Sequence, residues 1–450
     1  MAYLLTWTFP ILAGLLSWFT KKQKLNSAII LIHSLLHLAL GITLALPSLG
    51  LAARLGVDDL GVSIFLVSAV LYFAVGIYSL GYESHHNPRQ SSIYTVCMML
   101  FVAAMDGAIL AHDLGLIWVF VETTTLASAM LISLEHHRQS LEAAWKYLFI
   151  CSIGIALAFV GILLLVIAQP TAPTLILTKL FTATHSLSPF WLKISFVFML
   201  IGFGTKVGLA PLHFWLPDAH SEAPAPVSAL LSGALLNTAL IPLLRMQHLM
   251  QLNDLGELAA QLFLLLGFAS LFIAAVFINR VQNFKRLLAY SSIENMGIIM
   301  IAFSLGTLAG KAGLLHVMGH SLIKGAFFLT AGNLYSIYSQ KTTDKCSGLL
   351  AIDPRSGWLW LLCFAFISGM PPSPLFLSEF YIAMGFIKGG NIIGFIAFFL
   401  LLASIAYGLG RASLAITMGD SERRVRLRWS SYLPQMGLLI FAAVFYLWLI

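Results

Sequence analysis

Fourteen stretches of this chain are apolar over about the 17 to 25 residues that an α-helix needs to cross a bilayer. A chain embedded in hydrocarbon has to satisfy its backbone internally, so the expected fold class is an all-α polytopic membrane protein. The predicted helices span residues 4–19, 28–46, 62–82, 91–110, 114–134, 143–168, 191–211 with a continuation, 227–244, 258–278, 287–305, 312–335, 358–387, 392–418 and 432–449. No stretch between them is long enough to fold as a water-soluble domain. With 59% hydrophobic and only 10% charged residues, the net charge of +7 needs no nucleic-acid partner. The first run is followed by its basic residues, Lys21 and Lys22, where a cleavable signal peptide would carry them in front; a retained helix is expected.

Cys97, Cys151, Cys346 and Cys363 show no CxxC spacing. Neither a zinc ribbon nor an iron–sulfur ligand set is on offer, so no cofactor and no metal is expected and any redox chemistry must lie in another chain. Assigning alternate loops to opposite sides places fifteen Lys and Arg on one face and five on the other, the five being Arg54, Lys179, Arg245, Lys311 and Lys388. By the positive-inside rule both termini are expected on the non-cytoplasmic side.

Five basic residues remain inside the predicted spans: Lys146, Lys193, Lys206, Lys324 and Arg411. Lys193 is near a helix end and is read as snorkelling. Residues 201–228, IGFGTKVGLAPLHFWLPDAHSEAPAPVS, are the least expected in a lipid-embedded run. Lys206 ends an apolar segment, Pro211 breaks the helix, and His213 and His220 follow; these features belong beside an internal polar cavity. Glu122 is eight residues into its span, with Glu379 after the cluster Pro371, Pro372, Pro374, and with Asp106 and Glu294 as weaker intramembrane acids. A Glu122–Lys206 pair is either a static salt bridge or a pair that trades a proton as it opens and closes.

His316, His320 and Lys324 are spaced four apart, so each step drifts only about 40° around a helix and the three form one polar stripe. A zinc site there lacks a third ligand, and Lys324 would repel a cation. The stripe reads as a proton path or as hydrogen-bonded packing between helices. Two proline-broken runs, one after Lys206 and one before Glu379, point to an inverted repeat. The expected organisation is residues 1–90 as three N-terminal helices, 91–250 as a first five-helix unit, 251–420 as its inverted copy, and 421–450 as the last helix. The pairing sets Lys146 against Lys324.

The segments GTKVGLAPLHFWLPDAHSEAPAPVSALLSG, HVMGHSLIKGAFFLTAGNL and FVETTTLAS resemble the antiporter-like, proton-translocating subunits of respiratory complex I, multisubunit cation/proton antiporters and membrane-bound hydrogenases. The segments KRLLAYSSIENMGIIM and SALLSGALLN resemble most the F component of hydrogenase-4. The resemblance implies a subunit with a central hydrophilic axis on which Glu122, Lys206, Lys324 and Glu379 carry protons, with His320 and His316 beside them. Where many relatives have a histidine at the start of the eighth helix, this chain offers Ser232 and Asn237. Lys146, His220, Glu294 and Arg411 are accessory candidates.

The implied role is a proton-pumping subunit of an oxidoreductase complex in a bacterial or archaeal cytoplasmic membrane. Its partners would be other membrane and peripheral subunits, the lipid bilayer, and protons or Na+ as the ion. The alternative is a subunit of an ion/proton antiporter or of an ion-coupled inorganic-carbon transporter.

Overall fold

Hydropathy sets the length of each helix and proline sets where several begin. The computed structural model describes residues 2–20, 22–82, 87–170, 173–183 and 186–449, and helices occupy all the predicted runs. In chain order they are α1 (Ala2–Thr20), α2 (Gln23–Ala45), α3 (Asp59–Tyr82), α4 (Pro88–Leu110), α5 (Leu114–Ile132), α6 (Arg138–Ile167), α7 (Pro189–Val207) and α8 (Trp215–Glu222). There follow α9 (Ala225–Leu252), α10 (Gly256–Ile278), α11 (Phe284–Ser304), α12 (Thr307–Tyr338), α13 (Pro354–Ile367), α14 (Pro374–Lys388), α15 (Ile392–Thr417) and α16 (Leu433–Leu449). Pro88, Pro189 and Pro374 open their helices, where a missing N–H costs nothing. Eleven helices among the described residues are long and apolar enough to cross a membrane; α1 and α16 add the shorter apolar stretches Thr8–Thr20 and Leu433–Leu447. Extended pairing among the described residues is confined to two isolated bridges, Asp113 with Ile176 and Asn283 with Thr342.

The centre of the bundle is α9, whose apolar window is entirely buried inside the protein. A helix apolar all round belongs in such a place. Its third turn is a π-helical segment, Leu231–Leu235, the kind of local widening that recurs at functional sites. On the outside, Ile393 of α15 is 84% exposed and Leu400 67%, surface suited to lipid. Helices α6 and α7 approach unusually closely, because a Cβ on Gly202 would lie 2.4 Å from the backbone nitrogen of Ala158. Small residues at such contacts let van der Waals packing do in lipid what hydrophobic burial does in water.

Two helices are interrupted, and the freed backbone groups find partners. Gly208 (φ +80) ends α7 in the left-handed region that glycine adopts without strain, and its N–H turns back to Gly204 and Thr205. Across the break, the Trp215 indole donates to the Thr205 carbonyl at 2.8 Å, and Ala210 N–H donates to Ser270 Oγ at 2.9 Å. Between α13 and α14, Met370 N–H reaches Ala365 O at 3.0 Å, Ser373 Oγ donates to Phe366 O at 2.7 Å, and the same hydroxyl caps α14 by accepting from Leu375 N–H. In a membrane such breaks persist only where protein satisfies them.

Two residues counted as loop charges are buried instead. Arg245 lies within α9, which continues to Leu252 rather than stopping at residue 244, and its guanidinium bonds Asp58 in a bidentate pair at 3.1 and 3.0 Å. Lys285 is the second residue of α11, 4% exposed, because Asn283 caps the helix by accepting from Lys285 and Arg286 N–H and so starts it earlier than residue 287. Lys21 and the side chain of Arg54, which also enter the charge count, lie outside the described residues.

Candidate functional site

Lys206 occupies the last turn of α7, immediately before the break, and is fully buried. No direct ion pair joins it to Glu122 among the described residues. Its ammonium donates to Thr125 Oγ1 at 2.9 Å and to Tyr147 OH at 2.5 Å, and lies 4.6 Å from the centre of the Tyr147 ring. Thr125 in turn donates to Glu122 Oε2 at 3.3 Å, while Ser152 of α6 donates to Glu122 Oε1 at 2.6 Å. Ser128 and the Tyr147 hydroxyl share a further bond of 2.6 Å. The half-buried carboxylate and the buried ammonium are therefore linked through one hydroxyl and are not in direct contact. Thr125, Ser128 and Tyr147 escape a reading of the sequence. The signal available was the three-residue spacing of Glu122, Thr125 and Ser128, which puts them on one face of α5.

The second half is built on α11, α12 and α14. The stripe His316, His320, Lys324 faces inward, with every member fully buried. Lys324 Nζ donates to the Leu288 carbonyl at 2.7 Å and lies 6.0 Å from the Phe328 ring. Glu294, buried on α11, is the carboxylate that acts on Lys324 electrostatically, and Glu379 on α14 feels Glu294 in the same way. Glu294 is thus within electrostatic reach of both Lys324 and Glu379. His316 pins this arrangement, with Nδ1 2.8 Å from Ser378 Oγ and Nε2 3.0 Å from Asn295 Oδ1, each the neighbour of one of the two acids. The Glu379 carboxylate lies against Gly369 in the α13–α14 break, where a Cβ would come within 2.5 Å of Oε2.

Between the halves, Ser232 in the π-helical turn bonds Ser292 at 2.8 Å, and Asn237 donates to Ser321 at 2.6 Å and to the Gly233 carbonyl at 2.9 Å. Ser292 donates to the same Leu288 carbonyl that receives Lys324, at 3.2 Å. Several buried polar atoms here have no hydrogen-bond partner among the described residues: both ring nitrogens of His220, both of His320, Asn237 Oδ1 and Glu294 Oε2. Native interiors rarely leave such groups unsatisfied, and ordered water is their usual partner.

Other candidates fall outside the row. Lys146, expected inside a span, has a side chain 49% exposed and bonds Glu142 at 2.7 Å and Asp218 at 3.1 Å. Lys146 lies on the outward face of α6, where Glu142 one turn earlier and Asp218 of α8 hold its ammonium at the surface, in contrast to the buried Lys324. Arg411 is exposed on α15 and donates to the Asn279 carbonyl at 2.9 Å. His213 and His220, which follow the break, are both buried; His220 stacks on Phe328 at 4.6 Å.

Above α8 a polar basin of about 570 Å³ opens at the surface, lined by His137, Lys146, Asp218, Glu222, Arg286 and Lys341 among others. Asp218 is held there by Lys146 and Arg286, at 3.1 and 2.6 Å, and Glu222 by Lys341 at 2.9 Å with His137 Nε2 at 3.4 Å. Burial works against the Glu222 charge, but Lys341, together with Ser221 and His137, outweighs it and holds the carboxyl below its ordinary range. A separate buried cluster lies in the N-terminal helices: His37 Nε2 bonds both Asp106 oxygens at 2.8 and 2.9 Å, and His33 Nδ1 is 3.0 Å from Tyr72 OH. No group of three or more His, Cys, Asp or Glu among the described residues is placed to hold a metal.

Residues 111–405 match the family model described as NADH:quinone oxidoreductase/Mrp antiporter, transmembrane. The chain is similar to a hydrogenase-4 component F homolog of Methylacidiphilum infernorum, 37% identical over 408 residues that cover 87% of this chain and 85% of the relative. It is also similar to the D component of the Na(+)/H(+) antiporter of Bacillus subtilis, 27% identical over 396 residues, covering 87% of this chain and 78% of that one. Among solved structures, a chain of the membrane-bound sulfane sulfur reductase, an archaeal respiratory membrane complex, superimposes with a TM-score of 0.89 at 20% identity, over 99% of this chain and 94% of that chain.

Proposed function

Because the chain belongs to the NADH:quinone oxidoreductase/Mrp antiporter transmembrane family, we propose that it is the proton-translocating subunit of a respiratory oxidoreductase complex, of hydrogenase or NADH dehydrogenase type. The observation that carries the reading is the buried linkage Glu122–Thr125–Lys206 beside a broken helix. A lysine held only by neutral hydroxyls in a low-dielectric interior is poised to give up its proton, whereas a lysine in contact with a carboxylate keeps it. Movement of Glu122 toward Lys206 loads the site; withdrawal releases the proton along the bundle. The onward path runs past Ser232, Asn237 and the unpartnered nitrogens of His320 to Lys324, then by Glu294 to Glu379, with water completing the gaps.

In this reading α4 to α9 and α10 to α15 are two inverted units, each with one broken helix and a buried lysine on the proposed path, and the basin is on the cytoplasmic face. The redox step takes place in partner subunits, and the chain supplies the membrane path. The test is a complex purified through a tag on this chain and reconstituted into liposomes. Lys206→Ala should stop translocation while assembly is kept; a complex that assembles poorly but pumps normally per molecule would exclude the role. The similarity to an antiporter component supports a second reading, ion/proton exchange without redox partners. Proton movement driven by an imposed sodium gradient, with no oxidoreductase subunit co-purifying, would select it.

A further inference from the structure

Lys285 is a buried lysine for which the proposed path has no use. It is 4% exposed, its Nζ donates to the Ala223 carbonyl at 3.0 Å, and no carboxylate among the described residues pairs with it. Ala223 directly follows Glu222. The two side chains share a narrow pocket of about 60 Å³, room for a few water molecules, whose wall also includes Tyr335, Lys341 and the exposed Glu135. Glu222, Tyr335 and Lys341 line the 570 Å³ surface basin as well. Glu222 therefore lines both a polar basin at the surface and the narrow pocket that reaches the buried lysine. Inward of this pocket is His220, two residues before Glu222 on α8, with both ring nitrogens unpartnered and its ring stacked on Phe328; Lys324 Nζ lies 6.0 Å from that same ring.

We propose that Glu222 and Lys285 form the proton inlet of the subunit. This rests on the translocation reading above. Glu222, as carboxylate, takes a proton from the basin and loses its attraction to Lys341. It then passes the proton through the narrow pocket to the neutral amine of Lys285, regenerating the carboxylate and leaving an ammonium. Lys285 delivers that proton by way of His220 to Lys324 and returns to the amine. The groups facing Lys285 across the pocket are Glu135, Glu222 and Lys341, with the hydroxyls of Tyr78, Tyr82 and Tyr335. Asp218 does not share the role: Lys146 and Arg286 both hold it, and it lines the basin without lining the narrow pocket.

A purely structural role is the competing account, in which Glu222–Lys341 staples α8 to residues 340–342 and Lys285 caps the Ala223 carbonyl. Arginine separates the two, because it keeps the charge and the donor but does not deprotonate. The assay is the tagged complex in liposomes loaded with a pH-sensitive dye and driven by its own electron donor. Lys285→Arg should assemble normally and translocate about a hundredfold more slowly or worse, the lower end of the range for loss of a proton-transfer group. Glu222→Gln should do the same, and Glu222→Asp should recover most of the rate. Wild-type rates in Lys285→Arg and Glu222→Gln would overturn the inlet. Should Lys285→Arg fail to assemble, Glu222→Gln decides by the same criterion. Lys206→Ala is run alongside. If it pumps normally, the translocation reading has failed; if it is inactive while the two inlet variants pump normally, only the inlet has failed.

Discussion

Thr125→Val isolates the linkage on which the account depends. Thr125 Oγ1 is 2.9 Å from Lys206 Nζ and 3.3 Å from Glu122 Oε2. The two charges are thus about 5–6 Å apart and attract by ~3 kcal/mol at an effective dielectric of ~20, against ~5–6 kcal/mol for direct contact near 3 Å. The difference of ~2–3 kcal/mol changes proton occupancy of the lysine by roughly 30- to 150-fold, which suffices for a switch. Valine keeps the branched shape and the helix while removing the hydroxyl. Lys206 then loses one of its two bonds and Glu122 one of its two, and a hydrogen bond to a charged group is worth ~1.5–3 kcal/mol. Translocation in reconstituted liposomes should fall about 10- to 100-fold at 1.4 kcal/mol per decade, with the complex assembled and its electron transfer continuing. Thr125→Ser should restore it. Wild-type pumping in Thr125→Val would refute the idea that this hydroxyl carries the exchange.

Three further expectations follow from the geometry. Gly369 has φ +66 and a Cβ there would crowd Glu379 Oε2, whereas Gly390 has φ +68 and open space around it; alanine at either should cost ~1–2 kcal/mol in thermal unfolding, but only Gly369→Ala should slow translocation per assembled complex. Burial opposes the Asp58 charge, yet the hydrogen-bonded pair with Arg245 outweighs it and depresses the carboxyl. Its contribution is therefore complete above the ordinary carboxylate range and is lost as pH falls through the depressed value. Asp58 is 44% exposed, so after allowance for screening Asp58→Asn should cost about 1–2 kcal/mol near neutral pH, and the gap to wild type in thermal unfolding should close below about pH 4. His37→Ala should destabilise the packing of α2 on α4 by ~1–3 kcal/mol while leaving protons per turnover unchanged, since the His37–Asp106 pair has no bond to the row; a pumping defect would place it on the path.

What the sequence disclosed was governed by spacing and cost. Apolar runs of bilayer length and prolines at the two breaks fixed the helices, and the expense of burying Lys206, Glu122 and Lys324 drew attention to them. The four-residue spacing of His316, His320 and Lys324 translated directly into a buried stripe. Thr125 and Tyr147 were invisible because a threonine and a tyrosine are ordinary in an apolar helix, and only the three-dimensional meeting of α5, α6 and α7 makes them bridges. Lys285 was equally hidden. A few residues of uncertainty at each helix start decide whether a lysine is at the rim or inside, and Asn283, the cap that starts α11 early, was the overlooked signal.

The central claim is that one path crosses both halves of the chain and that Lys324 must release a proton on it. Lys324→Arg, measured as protons moved per turnover in liposomes containing the intact complex, tests this most directly, because arginine retains the charge beside Glu294 but does not deprotonate. The account predicts an assembled complex that moves no protons. A Lys324→Arg complex with the wild-type ratio would contradict it.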